Sequence, residues 1–298
     1  MEFEGFVTTC LGGFYTVRTE HGVFICRARG RFRKEGISPC AGDWVIIETE
    51  NGKTGALTKI KPRKNHFTRP PVANVDRLFI VASLLEPTVN TLLIDKALAV
   101  AELNGVQPVV VFTKTDLGDV EPLRKIYSLA GIPCCGVSSQ TGMGIEKIRE
   151  LVRAQVSAFI GNSGVGKSTL LNMAFPGLDL QTGEISHKLG RGRHTTRQVE
   201  FFPLPEGGWI ADTPGFSTFD MERYCLTDKS RLVEGFREMN AFAQKCQFTS
   251  CSHTCEKGCA VLQALHEEKI ARSRFESYLS MYQEIKGVKK WEQKSKHV

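Results

Sequence analysis

Gly161-Asn162-Ser163-Gly164-Val165-Gly166-Lys167-Ser168 is the stretch on which the fold turns. It matches the spacing G-x-x-x-x-G-K-[ST] at every fixed position. The apolar run Ser157-Ala158-Phe159-Ile160 before it predicts a strand, and Thr169-Leu170-Leu171-Asn172 after it opens a helix. Glycines let the backbone curl until successive N–H groups point at phosphate oxygens, at the positive end of that helix. Lys167 is then placed to reach the terminal phosphates, and Ser168 to offer its hydroxyl to Mg²⁺. The plainer alternative is a glycine-rich turn with a stray lysine, and the strand and helix on either side argue against it.

Outward from this loop, strands alternate with helices. Arg77 to Ser83, Val109 to Phe112, Ile132 to Val137 and Gly208 to Ala211 are apolar runs of strand length. Leu92 to Leu103, Val120 to Leu129 and Ile145 to Val152 carry the helical period. The succession, from Asp76 to about Ser217, predicts a parallel sheet covered by helices on both faces.

Three further elements sit at strand ends. Thr113-Lys114-Thr115-Asp116 follows Phe112 and has the form [NT]-K-x-D. A carboxylate accepts from both N1–H and the exocyclic amine of guanine, and adenine offers no such donor pair. Lys114 can lie over the base. Read alone, the same letters also fit a helix start capped by Asp116. Ser138-Ser139-Gln140 follows Val137 in the manner of a loop that touches the guanine oxygen through its backbone. Asp212-Thr213-Pro214-Gly215 fits D-x-x-G, in which Asp212 reaches Mg²⁺ through water and the Gly215 N–H meets the γ-phosphate. Their order is unusual, because the base motif precedes the phosphate loop. Circular permutation assembles the same site from that order, since it moves chain ends without moving strands.

The flanks differ in character. The first seventy residues predict a small β-barrel, with runs at Phe14 to Arg18, Val23 to Cys26 and Asp43 to Ile47 punctuated by glycine turns. An OB-fold is the expected form, and an SH3-like barrel gives a similar pattern. Pro62 and Arg69-Pro70-Pro71 mark a linker. Beyond Ser217 the chain is mostly helical around a cysteine cluster, then lysine-rich after Gly287. The expected domains are 1–68, 72–220 and 221–298.

The 298 residues are 41% hydrophobic and 24% charged, an ordinary globular balance. No apolar run approaches the ~18 residues of a membrane span, and Glu2 and Glu4 stand where a secretory signal would be basic. A cytoplasmic protein is expected. The charge sum of 39 basic against 32 acidic residues gives +7. Much of it is grouped: Arg27, Arg29, Arg31, Arg33 and Lys34; Lys59, Lys61, Arg63, Lys64 and Arg69; Lys188, Arg191, Arg193 and Arg197; and lysines at the C-terminus. Several acid-free basic segments suggest a polyanionic partner such as nucleic acid. Of ten cysteines, Cys246, Cys251, Cys255 and Cys259 fall within fourteen residues together with His253. Without a secretion signal this spacing predicts a metal knuckle rather than disulfides. Chemistry alone leaves open three thiolates with His253, four thiolates with Cys255, or an iron–sulfur cluster.

At this point the chain resembles the ribosome small-subunit-dependent GTPase A family over essentially its whole length. The stretches that carry the likeness are Val72-Ala73-Asn74-Val75-Asp76, Gly192-Arg193-His194-Thr195-Thr196, Asp212 to Phe216, and Cys246 to Cys259. The resemblance implies a multidomain α/β protein: an N-terminal OB-fold β-barrel, a circularly permuted P-loop GTPase domain, and a C-terminal α-helical zinc-binding domain. It implies GTP hydrolysis to GDP, stimulated by the small (30S) subunit, in late maturation of that subunit near its decoding region. 16S rRNA is then the expected RNA, and a monomer the expected state. It also selects Cys246, Cys251, His253 and Cys259 as ligands of one structural zinc. Two departures stand out: Thr113 replaces the asparagine of many GTPases, and Cys255 adds a thiol to the cluster. Phe216 occupies the place of the water-orienting glutamine, and an apolar side chain cannot orient water. His194 is the expected substitute, with Thr196 as the switch threonine on Mg²⁺ and Thr195 beside it. The competing classes are a small-molecule kinase or ATPase, a zinc-dependent DNA-binding regulator, and a P-loop NTPase acting on another RNA. Asp116 argues against the first, and the complete nucleotide site against the second.

Overall fold

The computed structural model describes residues 1–50, 52–68, 70–178, 199–212 and 228–287. Its first unit is a closed barrel of β1 (Glu2–Leu11), β2 (Phe14–Thr19), β3 (Gly22–Ala28), β4 (Trp44–Glu48) and β5 (Thr54–Ile60), in the order β1-β2-β3-β5-β4. Strands β3 and β5 run parallel and the other neighbours antiparallel, which is OB-fold connectivity. Alternation in the sequence sets the faces. Val7, Val17, Phe24, Cys26, Val45, Ile47 and Leu57 fill the interior, closed by Phe32 of the short helix α1 (Arg31–Lys34).

Much of the second basic run is structural. Arg63 grips the fully buried Asp43 with two bonds, Nε to Oδ1 at 2.7 Å and Nη2 to Oδ2 at 2.8 Å. Lys61 pairs with Glu4 at 2.5 Å and Lys64 with Asp76 at 2.7 Å. A bidentate arginine on a buried carboxylate fixes geometry, so these residues are not simply a solvated phosphate-binding strip.

The proline-marked linker is a small hairpin. β6 (His66–Thr68) and β7 (Pro71–Ala73) pair antiparallel, and Phe67, Val72 and Val75 are buried. Asn74, at φ 58°, bonds Gly42 O through Nδ2 and receives Lys64 N–H through Oδ1. Asparagine tolerates that left-handed backbone and supplies both bonds.

The central sheet has the order β10-β9-β8-β11-β13-β12. It comprises β8 (Arg77–Ser83), β9 (Gln107–Thr113), β10 (Cys134–Gly136), β11 (Val156–Ile160), β12 (Glu200–Pro203) and β13 (Trp209–Asp212). All pairings are parallel except edge strand β12 on β13. One face carries Leu78, Ile80, Val110, Phe112, Ala158 and Ile160, in one core with α2 (Thr91–Leu103) and α3 (Glu121–Leu129). The alternate residues Phe79, Val81, Val109, Val111 and Phe159 share the other core with α4 (Ile145–Val152) and α5 (Lys167–Ala174). Burial on both faces explains why these strands are continuous apolar runs.

The C-terminal helices α6 (Arg237–Ala243), α7 (Ala260–His266) and α8 (Arg272–Gly287) follow a 3-10 turn, Leu232–Gly235; that turn and α8 pack on α2, while α6 packs on the turn and on α7. Gly235 lies so close to α2 that a Cβ there would stand 2.9 Å from that of Ala99. Arg274, 1% exposed, bonds Asp95 of α2 at 2.8 Å and Glu238 of α6 at 2.8 and 3.2 Å. Its guanidinium lies 4.6 Å from the centre of the Phe236 ring. Burial alone would weaken its hold on the proton, but Asp95 and Glu238 raise the guanidinium above its ordinary value. One cation thus joins α2, α6 and α8.

Candidate functional site

The loop from Gly161 to Ser168 joins β11 to α5, as its spacing predicts. Gly161 packs against β8, where a Cβ would stand 2.4 Å from Val81 O. Gly164 and Gly166 take φ of 81° and 86°, a backbone only glycine adopts readily, and Gly166 caps α5. Val165 is buried and pins the loop, while Ser163, Gly164 and Thr169 are exposed and Asn162, Lys167 and Ser168 are half-buried. The result is a curled backbone at a helix N-terminus, a suitable cradle for phosphate.

The base motif packs directly on that loop. Thr113 is buried at the end of β9, and its hydroxyl donates to Val165 O at 2.5 Å, with Ala82 O at 3.3 Å. The threonine that stands in place of asparagine turns its hydroxyl to the phosphate loop. Lys114, at φ 58°, donates to Leu85 O at 3.1 Å and Glu86 O at 2.6 Å, tying in the loop after β8. Thr115 N–H bonds Val137 O, and a Cβ on Gly136 would stand 3.2 Å from the Thr115 methyl. Asp116 is exposed and Ser139 beyond β10 is exposed. Ser138 is fully buried, and its hydroxyl accepts from Gln140 and Thr141 N–H at 3.2 and 3.3 Å. That hydroxyl shapes the loop, while Ser139, Gln140 and Thr141 are exposed. The carbonyls of Leu85 and Glu86 carried no motif signal.

Asp212 ends β13, in register with Phe159 of β11, so its backbone lies one strand from the phosphate loop. Gly192, Arg193, His194, Thr195, Thr196, Thr213, Pro214, Gly215 and Phe216 lie outside the described residues.

A second constellation gathers Cys246, Cys251, His253 and Cys259, whose ligand atoms all lie within 4.8 Å of one another. Cys246 Sγ and Cys259 Sγ are 3.9 Å apart, and each lies 3.5 Å from His253 Nδ1. A tetrahedral ion with metal–sulfur bonds of ~2.3 Å and metal–nitrogen bonds of ~2.0–2.1 Å has edges of about 3.8 and 3.5 Å. The set therefore fits a single metal ion, and a polynuclear cluster would hold its ligands farther apart. Cys255 is exposed and outside the set. Burial keeps His253 below its ordinary value, which favours the neutral imidazole that ligates. Around it, Glu256 accepts N–H bonds from Ser252, Thr254 and Cys255, at 2.8, 3.0 and 3.1 Å. Burial would raise this carboxylate, yet those bonds and the Ser252 hydroxyl hold it down at about 2. Cys259 also caps α7, accepting from Leu262 N–H at 3.5 Å, and Tyr278 of α8 donates to Ser252 O at 2.9 Å.

The chain matches the family model described as RsgA GTPase over residues 60–222, and that described as RsgA N-terminal domain over residues 4–57. It is 44% identical over 290 residues to the Small ribosomal subunit biogenesis GTPase RsgA of Caldanaerobacter subterraneus subsp. tengcongensis, covering 96% of this chain and 97% of the relative. The protein of that name from Halalkalibacterium halodurans is 42% identical, with 95% and 97% covered. Among solved structures, YjeQ from Thermotoga maritima superposes with a TM-score of 0.82 at 34% identity, covering 97% of this chain and all (100%) of that one. YloQ, described as a circularly permuted GTPase, gives 0.79 at 33% identity, with 96% of each chain covered.

Proposed function

Because this chain belongs to the RsgA GTPase family, we propose that it hydrolyses GTP, binds the small (30S) ribosomal subunit and acts in that subunit's late maturation, with turnover stimulated by the subunit. The observation that carries the reading is full-length likeness to proteins named for that role. It is joined to a base motif that precedes the phosphate loop in the chain yet is bonded to it through Thr113 and Val165.

In this reading Gly161 to Thr169 hold the phosphates, with Lys167 facing the transferred group. Asp116 accepts from guanine, Lys114 covers the base, and Thr113, Thr115, Ser138 and Ser139 set the two base loops. Ser168, Thr196 and Asp212 are the residues that would hold Mg²⁺, which neutralises phosphate charge when bound. Gly215 offers its N–H to the γ-phosphate, and His194 orients water because Phe216 cannot. Cys246, Cys251, His253 and Cys259 hold one structural zinc with no open position for chemistry.

The barrel, residues 1–68, is assigned to 16S rRNA. Its outer surface exposes Leu11, Phe14 and Ile25, and the Arg27 guanidinium lies 4.5 Å from the centre of the Phe14 ring. Aromatic and guanidinium planes beside basic residues suit unstacked bases and phosphates. Residues 72–220 form the nucleotide domain and 221–298 the zinc domain. The protein acts as a monomer in the cytoplasm; no helix among the described residues is long and apolar enough to cross a membrane.

Nucleotide choice is tested at Asp116. In Asp116→Asn the amide no longer accepts guanine's paired donors, so GTP affinity falls at least about a hundredfold, as for two charge-assisted bonds of about 1.5–3 kcal/mol each. XTP, which carries an acceptor where guanine has its amine, is bound in preference. Competition binding with GTP, XTP and ATP reads this directly. Equal competition by ATP and GTP for the unmodified protein contradicts the assignment.

A further inference from the structure

Phe6 belongs to the barrel by its place in the chain and to the central sheet by its contacts. Its neighbour Val7 points into the barrel with Val17, Phe24 and Val45. Phe6 points the other way and is fully buried in the sheet's core. Its ring stacks on Trp209 with centroids 4.3 Å apart and planes at 17°. It meets Phe201 edge-on at 5.2 Å and Trp44, its cross-strand partner, at 5.1 Å. Phe201 pairs with Ala211, two residues from Trp209, so both rings stand on one face of the β12–β13 hairpin.

Two features make this contact more than a weld between domains. β13 ends at Asp212, three residues beyond Trp209, and β12 begins at Glu200. Farther along β1, Thr9 and Leu11 join Phe14, Thr16 and Ile25 in an open groove of about 460 Å³, one side of which is Glu200 itself. Leu11 is 70% and Ile25 52% exposed. The barrel surface left open and the barrel surface stacked on the hairpin are thus served by one strand. A ligand seated on that groove touches β12 at Glu200, and Phe6 on the same strand β1 joins the barrel to β12 and β13 through close-packed rings that resist gradual deformation.

We propose that Phe6 is a positioning residue that transmits docking of the small subunit on the barrel to β13, and so to Asp212. This deepens the function proposed above and rests on it.

The test is single-turnover GTP hydrolysis with and without saturating small subunits, for the unmodified protein, Phe6→Leu, Trp209→Leu and the double variant. Leucine keeps the contact apolar and removes the ring. In each single variant the stimulated rate falls about tenfold, within the range of coupling residues that touch neither ligand. GTP affinity, intrinsic turnover and subunit affinity stay within about twofold. The double variant falls no further than a single one, because the rings act as a unit. Trp209→Phe, which retains a ring, keeps most of the stimulated rate. A full stimulated rate in Phe6→Leu overturns the inference. So does a parallel loss of intrinsic GTP binding, which marks Phe6 as merely holding the sheet together. If the unmodified protein is not stimulated at all, the subunit-dependent reading itself fails, and the inference with it.

Discussion

Cys251→Ser loses the metal and destabilises the C-terminal domain around residues 246–259, while the nucleotide domain still binds GTP. The magnitude follows from what the ion replaces. The segment from Cys246 to Cys259 contains little core of its own, and its order comes from four converging ligands, the Glu256 bonds and the Tyr278 bond. Structural zinc contributes roughly 10–16 kcal/mol to small zinc modules, far more than any single contact in this region. Metal analysis of fresh protein should give about one zinc per chain, and Cys251→Ser close to none. New protease cleavage between residues 246 and 259 and a lowered denaturant midpoint report the loss of order. Cys255→Ser is the control: exposed and outside the set, it keeps metal and fold. Iron in place of zinc, or equal loss of metal from both variants, contradicts the assignment.

Arg274→Ala destabilises the protein by about 3–5 kcal/mol, the cost of leaving buried carboxylates without their cation. Asp95 and Glu238 would then face each other in a nearly anhydrous joint. Burial already raises Asp95 above its ordinary value, even with Arg274 present. The sign with pH follows. A carboxyl whose folded value is raised loses stability as pH rises above its unfolded value of about 4. The variant's deficit therefore widens between about pH 4 and 7. Denaturant unfolding followed by helix signal at those two pH values checks both statements. Arg272→Ala, which removes an exposed pair with Glu276 at 3.2 Å, costs about 1 kcal/mol or less and sets the scale. A deficit no larger than that for Arg274→Ala contradicts the role given to the cluster.

What the sequence disclosed follows its chemistry. Arg77–Ser83 and Ile145–Val152 have the bounds read from the sequence, because a strand buried on both faces and an amphipathic helix leave strong patterns. The loop from Gly161 to Ser168 and its place between β11 and α5 were legible because the motif needs particular residue types at fixed spacing. β1 was not singled out, since Glu2, Glu4, Gly5 and its threonines dilute the apolar alternation, and its decisive residue Phe6 turns outward. The hairpin at 66–73 looked like a linker because prolines mark turns and edges equally well. Arg63 looked like a phosphate ligand because its partner Asp43 lies twenty residues away. The orientation of Thr113 and the exclusion of Cys255 are matters of geometry that a string of letters does not carry.

A nucleotide site built in permuted order serves the small ribosomal subunit. Multiple-turnover GTP hydrolysis, measured alone and with purified small subunits at low and high salt, tests it most directly. Slow turnover alone, a rise of about tenfold or more with small subunits, and loss of that rise as salt displaces the basic contacts are the expected results. A rate unchanged by small subunits, or raised equally by ATP in place of GTP, contradicts the account.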